Sequence, residues 1–177
     1  VSDRPAGENQ QQEIIRAADF TRASNEYLRK EFPDADESLM QSGLLVLRLA
    51  TAFQQDSERT VHRPLDLRWT GFSTVFALSI FGQLEARSLA RIIGVSRQAV
   101  SLVITTLERD GFITREQGDD RRTFVIQLTE RGREVAREAL EGQIGIAKDW
   151  FGGLEPEELA QLTHLLERVL TTRSSSN

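Results

Sequence analysis

The sequence predicts a mainly α-helical chain interrupted once by a small β-hairpin. Three observations carry that reading. Apolar residues recur at helical spacing through most of the 177 residues. Between Gly111 and Thr129 the period drops to two, with Phe124, Ile126 and Leu128 on one side of a strand. Just before that change, two short helical runs are separated only by Gly94-Val95-Ser96, the spacing of a helix-turn-helix.

The elements follow in order. Residues 1–8 read as a polar tail. Residues 9–31 show helical spacing through Ile14, Ala17, Ala18, Phe20, Tyr27 and Leu28, and Phe32-Pro33 ends the run. Asp34 or Asp36 supplies a cap for the next helix, because an aspartate accepts from the free N–H groups of a first turn. That helix is expected over 36–61. Its middle, 44–53, is apolar on more than one face, which predicts burial against several neighbours. Pro64 closes it. A further apolar helix is expected over 68–81, stopped by Gly82, then a short one over 86–93. Glu85 is a poor cap for that short helix.

Ser96 caps a helix reaching about residue 110, and Gly111 suits the left-handed residue that ends it. Strands are expected over 112–116 and 123–128, joined by the turn-rich loop 117–122. Thr129 caps a long helix to Phe151, and Gly152-Gly153 breaks it. Pro156 fits a first helical position, and Glu157 and Glu158 suit the positive end of a helix dipole. That last helix runs to about Thr172, before a tail at 174–177.

Composition narrows the function. A chain that is 39% hydrophobic and 28% charged folds around an ordinary core. Without cysteine there are no disulfides, thiolate metal sites or thiol redox chemistry; with two histidines besides, no metal and no cofactor are expected. The first residues are polar with no apolar run behind them, and no run is long enough for a membrane span. A cytoplasmic, non-membrane protein is therefore expected. Net charge is −5, which speaks weakly against a nucleic-acid partner, but it is unevenly spread. Between Arg87 and Arg133 nine arginines face six acids, so that segment is +3 and the rest −8.

The basic segment contains the chemistry. In "LARIIGVSRQAVSLVITTLERDG" the glycine permits a sharp turn, Val95 plugs its corner and Ser96 caps the second helix. Val100, Val103 or Ile104, and Leu107 sit at core spacing. Arg97, Gln98, Ser101 and Thr105 fall on the other side. A major groove admits a helix and offers guanine acceptors to an arginine and an adenine donor–acceptor pair to a glutamine. Arg97 and Gln98 match those pairings. Ser96, Ser101 and Thr105 suit phosphates or weaker base contacts. Taken alone, such a face is more often simply solvated. The preceding helix, the glycine turn and the hairpin together reverse that judgement.

With these residues in view, the sequence resembles MarR-type winged helix-turn-helix transcriptional regulators. The likeness extends over roughly 39–172 and is strongest through "LARIIGVSRQAVSLVITTLERDGFITREQGDDRRTFVIQLTERG". Its most specific part is Asp120-x-Arg122, a strand, then Leu128-Thr129-x-x-Gly132. The resemblance implies that the hairpin is a wing, that Arg122 at its tip enters the minor groove, and that Asp120 holds Arg122 by an ion pair. A narrow minor groove draws in arginine, and a carboxylate keeps the guanidinium fork oriented. Arg121 is a phosphate candidate, Arg115 on the first strand a further DNA contact, and Asp119 turn chemistry. The bland alternative for the Asp–Arg pair is a loop salt bridge worth about 0–1 kcal/mol.

The chain departs from the family core in its extra helix at 9–31. Urate-responsive members carry such a helix, but their ligand-reading tryptophan has no match here, so urate is not carried over. The domain plan is N-terminal helices over 9–65, a winged helix-turn-helix over 66–128 and C-terminal helices over 129–173. Both helical ends are expected to dimerise the chain. Ile14, Phe20, Ile144, Ile146, Trp150, Phe151, Leu159, Leu162, Leu165, Leu166 and Leu170 exceed what a small winged domain can cover. A homodimer would read two half-sites about one helical turn apart on double-stranded DNA.

The resemblance also implies release by a small aromatic or anionic effector bound between the dimer region and the winged domain. Trp69, Phe72 and Phe76 would border that crevice, with Arg48 and His62 as positive partners. Aromatic residues at this spacing are more often core, and His62 and His164 more often surface or cap residues. The resulting expectation is a sequence-specific regulator, a repressor on a pseudo-palindromic operator. The alternative is a winged-helix protein-interaction module without specific DNA binding. An enzyme is not expected, since no nucleophile–base constellation, cofactor domain or glycine-rich phosphate loop is present.

Overall fold

The computed structural model describes residues 20–117 and 124–174. It divides into two units, 1–52 and 53–177.

In the first unit, residues 20–31 are helical (α1) and the helix stops at Phe32-Pro33, as the proline requires. The start expected at residue 9 lies outside the described residues. Asp36 is the cap: its Oδ1 accepts from the N–H groups of Ser38 (2.9 Å) and Leu39 (3.2 Å), opening α2, Glu37–Ser57. Arg48 lies over the Phe20 ring at 5.6 Å, and its Nη1 donates to Thr21 Oγ1 at 3.4 Å. Among the described residues the burial expected for 44–53 is only partial: Leu44, Leu49 and Phe53 are half-buried, and Phe53 packs on the core of the second unit. Leu45, Val46 and Leu47 are all exposed, as are Leu39 and Met40.

The second unit begins with the end of α2, which does not run on to Val61 as the sequence suggested. It widens into a π-helical turn, Glu58–His62, and then tightens to a 3-10 turn, Arg63–Leu65. Helix α3, Trp69–Phe81, starts without a cap from Arg68. The carboxylate of Glu58 takes that role, accepting from the Trp69 N–H at 2.9 Å. Next come β1, Leu84–Glu85, then α4, Ala86–Ile93, and α5, Arg97–Arg109. The hairpin strands are β2, Ile113–Gln117, and β3, Phe124–Leu128. Helices α6, Glu130–Phe151, and α7, Pro156–Ser174, complete the chain.

The sheet has three strands rather than two, antiparallel in the order β1-β3-β2. Leu84 pairs with Ile126, and Ile113 with Leu128. Its core is built from Phe72, Val75 and Leu78 of α3, Leu89 of α4, Val100, Ile104 and Leu107 of α5, and Ile113 and Ile126 of the sheet. Phe112 and, from α6, Ala136, Ala139 and Ile146 join it. Ile146, expected at a dimer face, is therefore core. Trp150 is also engaged internally: its Nε1 donates to Asp56 Oδ2 at 2.9 Å and its ring meets Phe53 edge-on.

The Leu128-Thr129-x-x-Gly132 sequence has a physical reason. Thr129 Oγ1 accepts from Gly132 N (2.9 Å) to cap α6, and donates to Gly111 O (2.7 Å). The Thr129 N–H donates to Phe112 O at 3.0 Å. One threonine thus ties the end of α5, the sheet and α6 together. A Cβ on Gly132 would lie 1.9 Å from Phe112 O, so only glycine fits.

Candidate nucleic-acid interface

The turn between α4 and α5 forms as its residues dictate. Gly94 is left-handed (φ 72°, ψ 32°), which a side chain would resist. Val95 donates to Ala90 O at 3.1 Å, and its half-buried side chain packs on the core. Ser96 Oγ then accepts from Ala99 N at 3.1 Å. This fixes α5 with Val100, Ile104 and Leu107 inward. Ser96, Arg97, Gln98, Ser101 and Thr105 are all exposed.

The first hairpin strand is braced to this helix. Arg115 of β2 forms an ion pair with Glu108 of α5 (Nε–Oε2, 2.9 Å). Its Nη2 also donates to Thr105 Oγ1 at 3.2 Å. Thr105 in turn donates to Ser101 O at 3.0 Å. Two residues expected to meet DNA, Thr105 and Arg115, are therefore coupled to each other. A groove of about 250 Å³ lies beside this brace, lined by Arg87, Ser101, Ile104, Arg115, Phe124 and others. Asp119, Asp120, Arg121 and Arg122 lie outside the described residues; the strands that carry their loop end at the pair Gln117 and Phe124.

The basic surplus divides by role. Arg131 sits over the Phe112 ring at 5.0 Å, and Arg133 donates to Leu128 O and pairs with Glu130. Arg109 pairs with Asp110. Arg87, Arg91 and Arg97 are exposed and have no ion-pair partner among the described residues.

Four of the five effector candidates come together in the second unit. His62 stacks on Phe72 (centroids 4.4 Å apart, planes at 15°) and lies 5.6 Å from Trp69. Phe72 stacks on Phe76 at 5.7 Å. His62 is fully buried, not a surface or cap residue. Its Nε2 meets Gln143 Oε1 at 3.1 Å, Gln143 Nε2 donates to Ser57 Oγ at 3.1 Å, and Ser57 donates to Phe53 O at 2.8 Å. The amide oxygen can only accept, so the proton is on Nε2 and Nδ1 is bare; Nδ1 has no partner among the described residues. Burial pushes the imidazole below its ordinary 6.5, against the opposing hydrogen bond from Gln143 and the charge of Glu58. The expected positive partner is thus a neutral core residue. The fifth candidate, Arg48, belongs to the first unit, with Phe20 and Thr21.

Sequence reasoning missed Leu102, which is 70% exposed on α5. Grouping polar residues by type hid it; the angular positions along the helix would have found it. Gln143 and Glu58 were also missed. Their roles depend on contacts 81 and 11 residues away in sequence, which periodicity does not encode. Among the described residues no group of histidine and carboxylate side chains suits a metal, and no helix is long and apolar enough to cross a membrane.

Comparison with known proteins agrees with this geometry. Residues 67–124 match the model of the MarR family. Over 158 residues the chain is 28% identical to YwaE of Bacillus subtilis, an uncharacterized HTH-type transcriptional regulator, spanning 82% of this chain and 92% of that one. The fold matches BpsR of Bordetella bronchiseptica, whose DNA binding is regulated by 6-hydroxynicotinic acid (TM-score 0.67, 24% identity, 73% of this chain and 98% of that one). It also matches the PcaV transcriptional regulator of Streptomyces coelicolor, solved with its natural ligand (TM-score 0.68, 22% identity, 77% and 96%).

Proposed function

The chain carries a MarR-family winged helix domain, and from that premise we propose that it is a sequence-specific regulator of transcription that binds double-stranded DNA as a homodimer. The observation that carries this reading is α5: capped, anchored by its apolar side, and presenting Arg97, Gln98 and other hydrogen-bonding side chains to solvent. In this reading Ser96, Arg97, Gln98, Ser101 and Thr105 meet the major groove. Arg121 and Arg122 meet the backbone and minor groove, with Asp120 supporting Arg122. Arg115 contributes by holding β2 against α5.

The dimer is assigned to the helices outside the winged segment. Leu165, Leu166, Val169 and Leu170 of α7 and Leu45, Val46 and Leu47 of α2 are exposed in the single chain, and a second copy would cover them. A two-fold dimer reads a pseudo-palindrome, since operator symmetry mirrors protein symmetry. Repression follows where such an operator overlaps a promoter, in the cytoplasm where the DNA is. A small aromatic or anionic effector is the expected release signal, in keeping with the 6-hydroxynicotinic acid response of the Bordetella protein. Trp69 and Phe76, both half-buried, are the rings it would reach. Such an effector must favour the conformation that does not bind DNA, or it shifts nothing.

The test is duplex binding at increasing salt, using sequences selected from a random pool. Phosphate contacts release counterions, so log K should fall linearly with log salt concentration. Selection of no sequence above the starting pool at low salt overturns the reading.

A further inference from the structure

Leu102 is the one large apolar side chain of α5 left exposed among the described residues, at 70%. A single surface leucine is ordinary by itself. Its position is not. With about 100° per residue, Leu102 points within about 20° of the direction opposite Val100, Ile104 and Leu107, the buried side of the helix. It stands at the crest. Gln98 lies one turn before it and Thr105 one turn after, both exposed. Ser101 is about 90° round from the crest, on the flank that lines the groove with Arg115. Between Gln98 and Thr105 the side chain on the crest of the helix is therefore apolar, with polar neighbours one turn to either side.

A protein-docking surface needs a contiguous apolar patch, and Leu102 is isolated on its helix. A major groove asks for something different. Its edges offer donors and acceptors, and thymine adds to its O4 acceptor an apolar 5-methyl group. Resting on the reading of α5 as the recognition helix, we propose that Leu102 is a specificity-determining residue that packs on a thymine 5-methyl group in each half-site. Gln98, one turn earlier on the same crest, is placed to take an adenine of the same A·T-containing step. The leucine is left exposed in the free protein because its partner is the DNA.

The experiment begins by selecting bound duplexes from a randomised pool with the full chain. Each thymine of the selected half-site is then replaced singly by uracil, which removes only the methyl group. One position is expected to weaken wild-type binding about fourfold, the value of one buried methyl-sized group. Leu102→Ala should bind the thymine duplex about as weakly as the wild type binds the uracil one, and should no longer distinguish the two. Because the site is exposed, the variant should melt with the wild type. Uracil penalties that are absent everywhere, or that persist unchanged in Leu102→Ala, overturn the inference while leaving the regulator reading intact. Failure to enrich any duplex overturns that reading, and the inference with it.

Discussion

The winged segment and the helices before and after it treat their apolar residues in opposite ways. From Trp69 to Leu128 most large apolar side chains converge on one core, with Ile80, Phe81, Ile92, Leu102 and Phe124 the exposed exceptions. Thr129 closes α5, the sheet and α6 in a single knot. In α2 and α7, by contrast, rows of leucine and valine stay exposed, although each helix is well formed and α2 is capped. Local signals make a helix; they do not say what covers it. The proposed dimer would account for the difference, with a second copy covering the rows that the single chain leaves exposed. The contrast can be broken or sharpened by substitutions on either side.

The largest effect is expected at the knot. Gly132→Ala would force a Cβ to within 1.9 Å of the Phe112 carbonyl oxygen, a backbone atom that cannot rotate away. The α6 start must then shift from the sheet, at a cost of about 3 kcal/mol. Thermal melting should show a large drop, and DNA binding should fall with the folded fraction. A variant that melts within a degree or two of the wild type would show that the junction is looser than its contacts suggest.

Next is the exposed row on α7, where the change falls on assembly rather than on the fold of a single copy. Replacing Leu166 and Leu170 together by aspartate removes two apolar groups, each worth about 1.5–3 kcal/mol if buried in a dimer. Sedimentation should shift to monomer while circular dichroism retains the helical signal. The concentration dependence of melting, which a dimer imposes, should vanish. An unchanged dimer would place the interface elsewhere.

How much of this was legible in the sequence follows the same division between local and assembled. Asp36, Ser96, Thr129 and Pro156 mark helix starts because a cap acts over three residues. Gly94 marks the turn for an equally local reason. The strand β1 was invisible because two residues have no period. The π turn at Glu58–His62 was read as plain helix, since the widening creates no composition signal. The sequence suggests a surface or cap residue at His62, yet it is a buried ring whose partners come from α3 and α6. On the candidate interface, residue type picks out the polar candidates, while geometry brings Leu102 to the crest and ties Arg115 to Glu108.

His62 gives a smaller effect with a defined sign. Its pKa is lowered by burial below 6.5, so above that pH both folded and unfolded chains hold the ring neutral. As pH falls through 6.5 the unfolded chain gains a proton that the folded core resists, and stability declines. Melting temperature should drop between pH 7 and pH 5. His62→Phe, which keeps a ring against Phe72, should lose that dependence. Asp56, held below 3.8 by its hydrogen bond from Trp150 and by Arg59, contributes only at more acid pH. A wild-type profile flat from pH 7 to pH 5 would mean that the ring reaches water.

The smallest effect is expected at Arg115, and it separates bracing from DNA contact. The pair with Glu108 is about one-third exposed on the arginine side, so Arg115→Gln should change stability by no more than about 1 kcal/mol. Loosening β2 from α5 should still lower DNA affinity a few-fold, because the wing is then less well positioned. The two roles predict different salt behaviour. A brace leaves the slope of log K against log salt unchanged, whereas each lost phosphate contact reduces it by about 0.9. An unchanged slope with reduced affinity would mean that Arg115 acts through the wing, as its bonds to Glu108 and Thr105 imply. A reduced slope would return Arg115 to the residues that touch the backbone.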